Sequence, residues 1–138
     1  MTAQKIIVDA IKELDNPLDI LKKYLDAHSF WATHFKKHLC VWVSFISYSS
    51  RKKKERALNT EAVLNGAYRI SEILSRGRRK GVFTHENDFQ TARLIQTIIL
   101  GWLTTLVTED VENPDVYTKN VINTCFSLAG SNQPKQSK

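Results

Sequence analysis

His34 and His38 are the residues whose types and spacing most directly suggest chemistry. They lie four positions apart, so on a helix their imidazole rings share one face, and Cys40 follows two positions later. Imidazole nitrogen and thiolate sulfur are zinc ligands, but a structural zinc site takes about four of them. The remaining Cys125 cannot be placed beside them from the sequence, and two lysines stand between the histidines. The pattern therefore favours an exposed polar helix face, and we predict no metal site.

The chain lacks the short motifs that carry many enzyme mechanisms. It has no HExxH zinc motif, no GxSxG nucleophile turn and no glycine-rich phosphate loop. Its N-terminal acidic residues fall at positions expected on helix surfaces, where solubility explains them. We therefore predict no catalytic residues and no cofactor, although an enzyme built on a helical bundle stays open as a third class of function.

Aromatic residues on the central helices suggest a binding pocket. A pocket between helices, lined by aromatic side chains and a few polar groups, is a common site for small molecules. The alternative, that the residue only fills the hydrophobic core, stays open for each of them. The candidate ligand-binding residues are Trp31, Phe35, Trp42, Phe45, Tyr68 and Trp102.

The net charge of +6 is concentrated in two basic runs, RKKKER at 51–56 and RGRRK at 76–80. Runs of this kind can attract nucleic acid or an anionic membrane. No RNA-binding signature or zinc-finger spacing accompanies them. Solvated helix ends are therefore the favoured interpretation.

The length of 138 residues, with 42% hydrophobic and 25% charged residues, is typical of one soluble globular domain. No secretory signal is visible at the start of the chain, and the apolar stretches look too short or too interrupted to cross a bilayer. Two distant cysteines fit a reducing compartment. We expect a single cytoplasmic domain over residues 1–130, no membrane contact, and a flexible tail over 131–138.

Apolar periodicity predicts an all-α bundle of about six helices, near residues 3–14, 17–28, 30–49, 53–77, 88–108 and 114–128. Asn16, Asn87 and Asn113 are helix N-cap signals, two of them followed by proline, and Gly130 is a helix stop. The β-branched run CVWVSFIS at 40–47 could form a strand by itself. A helix is favoured there, because no partner strand or hairpin turn is nearby.

A set of spaced residues follows the fourth helix, which we expect Gly77 and Gly81 to end. In order they are Gly77, Gly81, Phe83, Asp88, Ala92 and Gly101. This pattern resembles the C-terminal regulatory domain of TetR-family transcriptional repressors, and the upstream NPLDILKKYL resembles the start of that domain. The resemblance spans roughly 15–126. It implies an all-α bundle that binds a small, largely apolar effector, dimerises through its last two helices, and packs Phe83 against the core.

The DNA-binding helix-turn-helix of that family has no counterpart before Asp15. The resemblance therefore implies contact with DNA only through a segment outside these residues. The favoured function is the effector-sensing domain of a TetR-like repressor. The alternative is a helical protein–protein interaction module that binds no small-molecule effector. Such a module would pair with a full-length relative or contact nucleic acid through its basic runs.

The helix predicted at 88–108 is apolar around most of its circumference, so it needs cover on two sides. One side can face the core and the other a second copy of the chain. Gly101 supports such a contact, because a glycine inside a helix costs about 1 kcal/mol relative to alanine unless backbones approach closely. We predict a two-fold homodimer with an interface formed by Phe89, Ile95, Ile99, Trp102, Leu103, Leu106, Val121 and Phe126.

Overall fold

Six α-helices form the part of the chain that the computed structural model describes, residues 3–131. They are α1 (Ala3–Ile11), α2 (Pro17–His34), α3 (Lys36–Ser49), α4 (Lys53–Arg79), α5 (Asp88–Thr108) and α6 (Pro114–Ala129). No strand occurs within this range, so the predicted all-α bundle is confirmed. Apart from Ser131, the expected tail over 131–138 lies outside the described residues.

Local hydrogen bonds start three of the helices where the sequence predicts. The side chain of Asn16 accepts from the N–H of Leu18 at 2.9 Å and begins α2. Asn87 accepts from the N–H of Gln90 at 2.8 Å and begins α5. Asn113 caps α6 in the same way, and its acceptor satisfies a donor that the first helical turn leaves unpaired.

The boundary between α2 and α3 is not where the sequence placed it. The predicted break after residue 28 is wrong, because α2 continues to His34 and the chain bends at Phe35, where φ is −127° and ψ is 44°. The hydrogen bonds from Phe35 N–H to Trp31 and from Leu39 N–H to Phe35 span the bend, at 2.8 and 3.0 Å. The bend lets both Trp31 and Leu39 turn into the core. The first helix also ends earlier than predicted, at Ile11.

The end of α4 differs as well. Gly77 lies inside α4, which continues to Arg79, so the prediction that this glycine ends the helix is wrong. The turn is made by Gly81, whose φ of 74° lies in the left-handed region that favours glycine. The carbonyl of Gly77 accepts from the N–H groups of Val82 and Phe83 at 2.9 and 3.2 Å, which closes the helix end.

Phe83 fills the space beside Gly77, and this contact fixes the loop between α4 and α5. Only 2% of Phe83 is exposed, and a β-carbon at Gly77 would overlap its ring. The next two residues of the loop are hydrogen-bonded to the C-terminal end of α6. The N–H groups of Thr84 and His85 donate to the carbonyl of Ala129 at 3.0 and 3.2 Å. The expectation that Phe83 packs this turn against the core is confirmed.

Charged groups reinforce the same junction. Arg78 donates to both carboxylate oxygens of Asp88 at 3.0 and 2.8 Å, and His85 lies 2.5 Å from the same carboxylate. The guanidinium of Arg78 holds the pKa of Asp88 down to about 2, although partial burial opposes this. The end of α4 and the start of α5 are therefore held together by packing and by a charge-assisted pair.

The core lies between α4 and α5, which pack along each other, with α2, α3 and α6 around them. Its most buried large side chains are Leu21, Leu25, Leu39, Ile70, Leu74, Phe83, Ile95, Trp102, Leu103, Cys125 and Phe126. By contrast, α3 buries only Leu39 and Ser49 fully. It is therefore the least firmly embedded of the central helices.

Helix α5 is long enough and apolar enough to cross a membrane by length and composition alone, with 21 residues. The expectation that every apolar stretch is too short or interrupted is wrong for this segment. In the structure one face of α5, with Ala92, Ile95 and Ile99, is buried against neighbouring helices. Of the apolar window of α5, 28% is buried inside the described part of the chain.

The contact between Gly77 and Phe83 leads to a stability prediction. Gly77→Ala should lower the free energy of unfolding by about 2 kcal/mol or more, because the new methyl group forces the buried ring out of its site. Urea denaturation followed by circular dichroism measures this. Ser75→Ala, in the same part of α4, is the control and should change stability by less than about 0.5 kcal/mol. Equal effects of the two substitutions would contradict the role given to Phe83.

Candidate ligand-binding cavity

A cavity of about 460 Å³, partly open to the surface, is lined by residues of α1 to α5. This volume falls within the range of roughly 300–1,000 Å³ that is common for small-molecule sites. Trp31 of α2 and Trp42 of α3 form an aromatic wall, with ring centroids 6.2 Å apart and planes at 86°. Aliphatic lining comes from Ile46, Leu100 and Leu103, among others.

His28 and Tyr24 place polar groups in this cavity one turn apart on α2. The imidazole Nδ1 of His28 lies 2.8 Å from the carbonyl oxygen of Tyr24. Because a carbonyl can only accept, Nδ1 carries the hydrogen, and Nε2 of the neutral ring is left as an acceptor. Burial, assisted by the positive charge of Arg69, lowers the pKa of His28 to about 4, although the hydrogen bond to the Tyr24 carbonyl opposes this shift. The ring is therefore neutral at pH 7.

The hydroxyl of Tyr24 is the second polar group. Only 3% of Tyr24 is exposed, and burial raises its pKa to about 12, although Arg69 of α4 interacts with the hydroxyl and lowers this value. The phenol therefore keeps its proton at any physiological pH and can donate a hydrogen bond.

Arg69 is the charged group of this part of the cavity. It is half-buried and lines the cavity. Across residues 3–131 the ion pairs within 4.0 Å are Lys12–Asp9, Lys22–Asp26, Arg78–Asp88 and His85–Asp88, so no carboxylate pairs with Arg69. A half-buried cation without an acidic partner gives the cavity a positive potential.

Two further charged residues line the cavity from exposed positions. Arg93 of α5 donates from Nη1 to Oε1 of Gln96 at 3.0 Å, and Gln96 in turn donates to the carbonyl of Val63 at 2.6 Å. Glu61 lies on α4, eight residues before Arg69. At 1.5 Å of rise per residue the two are separated by roughly 12 Å along the helix, too far to form a pair.

The six predicted ligand-binding residues do not share one location. Trp31 and Trp42 line the cavity. Tyr68 is 60% exposed and packs on Phe89 at the surface, with ring centroids 5.5 Å apart. Trp102 is a core residue whose indole N–H donates to Thr118 Oγ1 at 3.2 Å. The remaining two, Phe35 and Phe45, are half-buried and do not line the cavity.

The polar residues of the cavity were missed by sequence reasoning, although each has a local signal. Arg69 lies two residues after the buried Ala67 and directly before the buried Ile70, close to the core-facing side of α4, where a charged residue is uncommon. Tyr24 and His28 are spaced four apart on a helix face that also carries Leu21. No such signal shows that α2 and α4 bring these groups together.

The predicted dimer residues are mostly internal. Four of the α5 residues expected at the interface are buried within the chain instead, where α3, α4 and α6 contact α5. Leu106 is half-buried and Phe89 is 38% exposed. Among residues 3–131, no atom outside the neighbouring residues and the backbone of α5 itself would lie within 4 Å of a β-carbon at Gly101, so no other described helix approaches this glycine closely. The buried residues of the set are Ile95, Ile99, Trp102, Leu103, Val121 and Phe126.

The histidines considered for zinc are occupied by local contacts. His34 stacks on Phe30 with centroids 4.1 Å apart, and its Nδ1 lies 3.0 Å from the Phe30 carbonyl. His38 meets Phe35 edge to face. Among residues 3–131, no three His, Cys, Asp or Glu side chains come together as a group that could hold a metal ion.

The neutral state of His28 leads to a prediction about pH. Its pKa is lowered from 6.5 to about 4, so between these values the unfolded chain binds a proton that the folded chain does not. The free energy of unfolding should be highest above pH 6.5 and fall as the pH drops towards 4, by at most about 3 kcal/mol and by less because the ring is only partly buried.

Denaturant titrations at several pH values measure this effect. The stability difference between the unchanged chain and His28→Gln should shrink as the pH falls from 7 to 4, whereas the exposed His38→Gln control should follow the unchanged chain throughout. If the free energy of unfolding varied with pH in the same way for the unchanged chain and for His28→Gln, the prediction that the pKa of His28 is lowered would be wrong.

Comparison of the chain with models of protein families, with curated proteins and with solved structures gave no match in any of the three. The likeness to the TetR family therefore rests on the motif pattern of the sequence.

Proposed function

We propose that this chain is an effector-sensing regulatory domain of the kind found in TetR-like transcriptional repressors. The observation that carries the proposal is the cavity of about 460 Å³, which combines a tryptophan wall with a few polar groups. A small amphipathic molecule of suitable size could bind there between α1 to α5. The motif pattern around Phe83 and Gly101 adds support, since it is the same pattern that suggested the family.

Helix α3 is the element through which an effector can act. It contributes Trp42 and Ile46 to the cavity but buries only Leu39 and Ser49 fully. A bound molecule would add contacts between α3 and the other helices of the cavity, and it would favour the arrangement in which those contacts are made. In a regulator such a shift is passed to a DNA-binding segment, which here would lie outside these 138 residues.

Binding of a neutral fluorescent probe tests the proposed cavity. Phenylnaphthylamine should bind with a stoichiometry of about one per chain and gain fluorescence, because the cavity is largely apolar. Ala62→Phe, at an exposed position that lines the cavity, should weaken binding about tenfold or more by occupying the space. Glu72→Phe, exposed on α4 away from the cavity, is the control and should leave the affinity unchanged. Equal affinities for the two variants would rule the cavity out as the binding site.

Homodimerisation is the second part of the proposal. Because most of the residues first expected at the interface are internal, pairing would use the outward face of α5, where Leu94 is 55% exposed and Gly101 is open. The occupant we propose is a second copy of this chain, since a glycine inside an exposed helix is otherwise unfavourable by about 1 kcal/mol.

Sedimentation velocity at micromolar concentration tests this pairing. The unchanged chain should sediment as a dimer, and Leu94→Arg should shift it to monomer because the charge cannot be buried in the interface. Val41→Arg, on α3 and 70% exposed, is the matched control and should remain dimeric. A monomeric unchanged chain, or a dimer unaffected by Leu94→Arg, contradicts the proposed surface.

A further inference from the structure

We propose that the ligand of this cavity is an amphipathic monocarboxylate, with its carboxylate held by Arg69 and the Tyr24 hydroxyl and its apolar part against Trp31 and Trp42. This inference rests on the proposed function and specifies the chemical class of the molecule that is sensed.

The charge of the cavity selects an anion. Arg69 is half-buried and, among the described residues, has no carboxylate within ion-pair distance. Of the other charged residues in the lining, Arg93 is also positive, and Glu61 lies two turns of α4 away. The lining therefore carries one net positive charge, from two arginines and one glutamate. A cationic ligand would be repelled by Arg69, and a neutral one would leave its charge uncompensated.

The hydrogen-bonding groups fit a carboxylate. The planar guanidinium of Arg69 offers donors in a fork that matches the two oxygens of a carboxylate. The Tyr24 hydroxyl stays protonated and supplies another donor beside it. Nε2 of His28 is an acceptor, so it can take a hydrogen bond from a hydroxyl or amide N–H elsewhere on the ligand.

The other side chains that line the cavity determine which chemical groups the rest of the ligand can carry. Trp31 and Trp42 meet edge to face and leave an apolar wall, and aliphatic side chains such as Ile46 and Leu100 continue it. A polyphosphate would need several cationic or backbone donors, whereas this part of the cavity offers a single arginine. An aromatic or alkyl group that ends in one carboxylate matches both the charge and the apolar surface.

A matched pair of ligands tests the inference. Naphthoate and naphthylmethanol have nearly the same size and differ mainly in charge, and the quenching of Trp31 and Trp42 fluorescence together with titration calorimetry measures their binding. The unchanged chain should bind naphthoate about tenfold more tightly than the alcohol. Arg69→Gln should abolish this preference while leaving the affinity for the alcohol within about twofold. Arg76→Gln, exposed on the same helix and outside the cavity lining, is the control and should keep the preference.

Arg69→Lys and Tyr24→Phe extend the test if Arg69→Gln disturbs folding, which circular dichroism reports. Arg69→Lys keeps the charge but loses the fork, so it should retain only part of the preference. Tyr24→Phe should weaken the binding of naphthoate and leave the binding of naphthylmethanol unchanged. Equal binding of the two ligands to the unchanged chain, or a preference that survives in Arg69→Gln, overturns the inference while the proposed cavity stands. If neither of these ligands nor phenylnaphthylamine binds, the proposal that the cavity is a binding site is wrong.

Discussion

The packing of Phe83 against Gly77 is the contact on which the arrangement of the bundle depends. It lets a bulky ring occupy the core directly beside the backbone of α4, a position that any side chain at residue 77 would take away. The loop that carries Phe83 is also hydrogen-bonded to Ala129 at the end of α6. One short segment thereby joins the ends of α4 and α6 to the start of α5 and fixes the angle at which α5 crosses the core.

The position of α5 explains both its composition and the cavity. A helix that is apolar on most sides needs cover on most sides, and α3, α4 and α6 supply part of it within one chain, while Leu94 stays exposed. Where the helices separate around Trp31 and Trp42, the covering is incomplete and the cavity remains. The lightly buried α3 forms one of its walls. The core helices on one side of the cavity are well buried, whereas α3 on the other side is not. Binding of a molecule can shift a lightly buried helix more easily than a well-buried one.

The polar groups of the cavity lower the stability of the folded chain. His28 is held neutral by burial, at the cost of stability at low pH, and Arg69 has no carboxylate within ion-pair distance among residues 3–131. Replacing either group by an apolar residue would remove a desolvation cost. Together with Tyr24, these two residues supply one cation, one hydroxyl donor and one neutral acceptor, which an apolar cavity cannot offer.

The sequence by itself determined the helices and many of their ends, because those depend on interactions between residues a few positions apart. Asn16, Asn87 and Gly130 act through hydrogen bonds or dihedral angles that any chain with these residues can form locally. The burial of residues on α5 within one chain, the bend at Phe35 and the placing of Arg69 beside the groups of α2 were decided only by tertiary structure. Each of these depends on which helix faces which, and the apolar pattern of a single helix does not specify its partner, because hydrophobic burial is not directional.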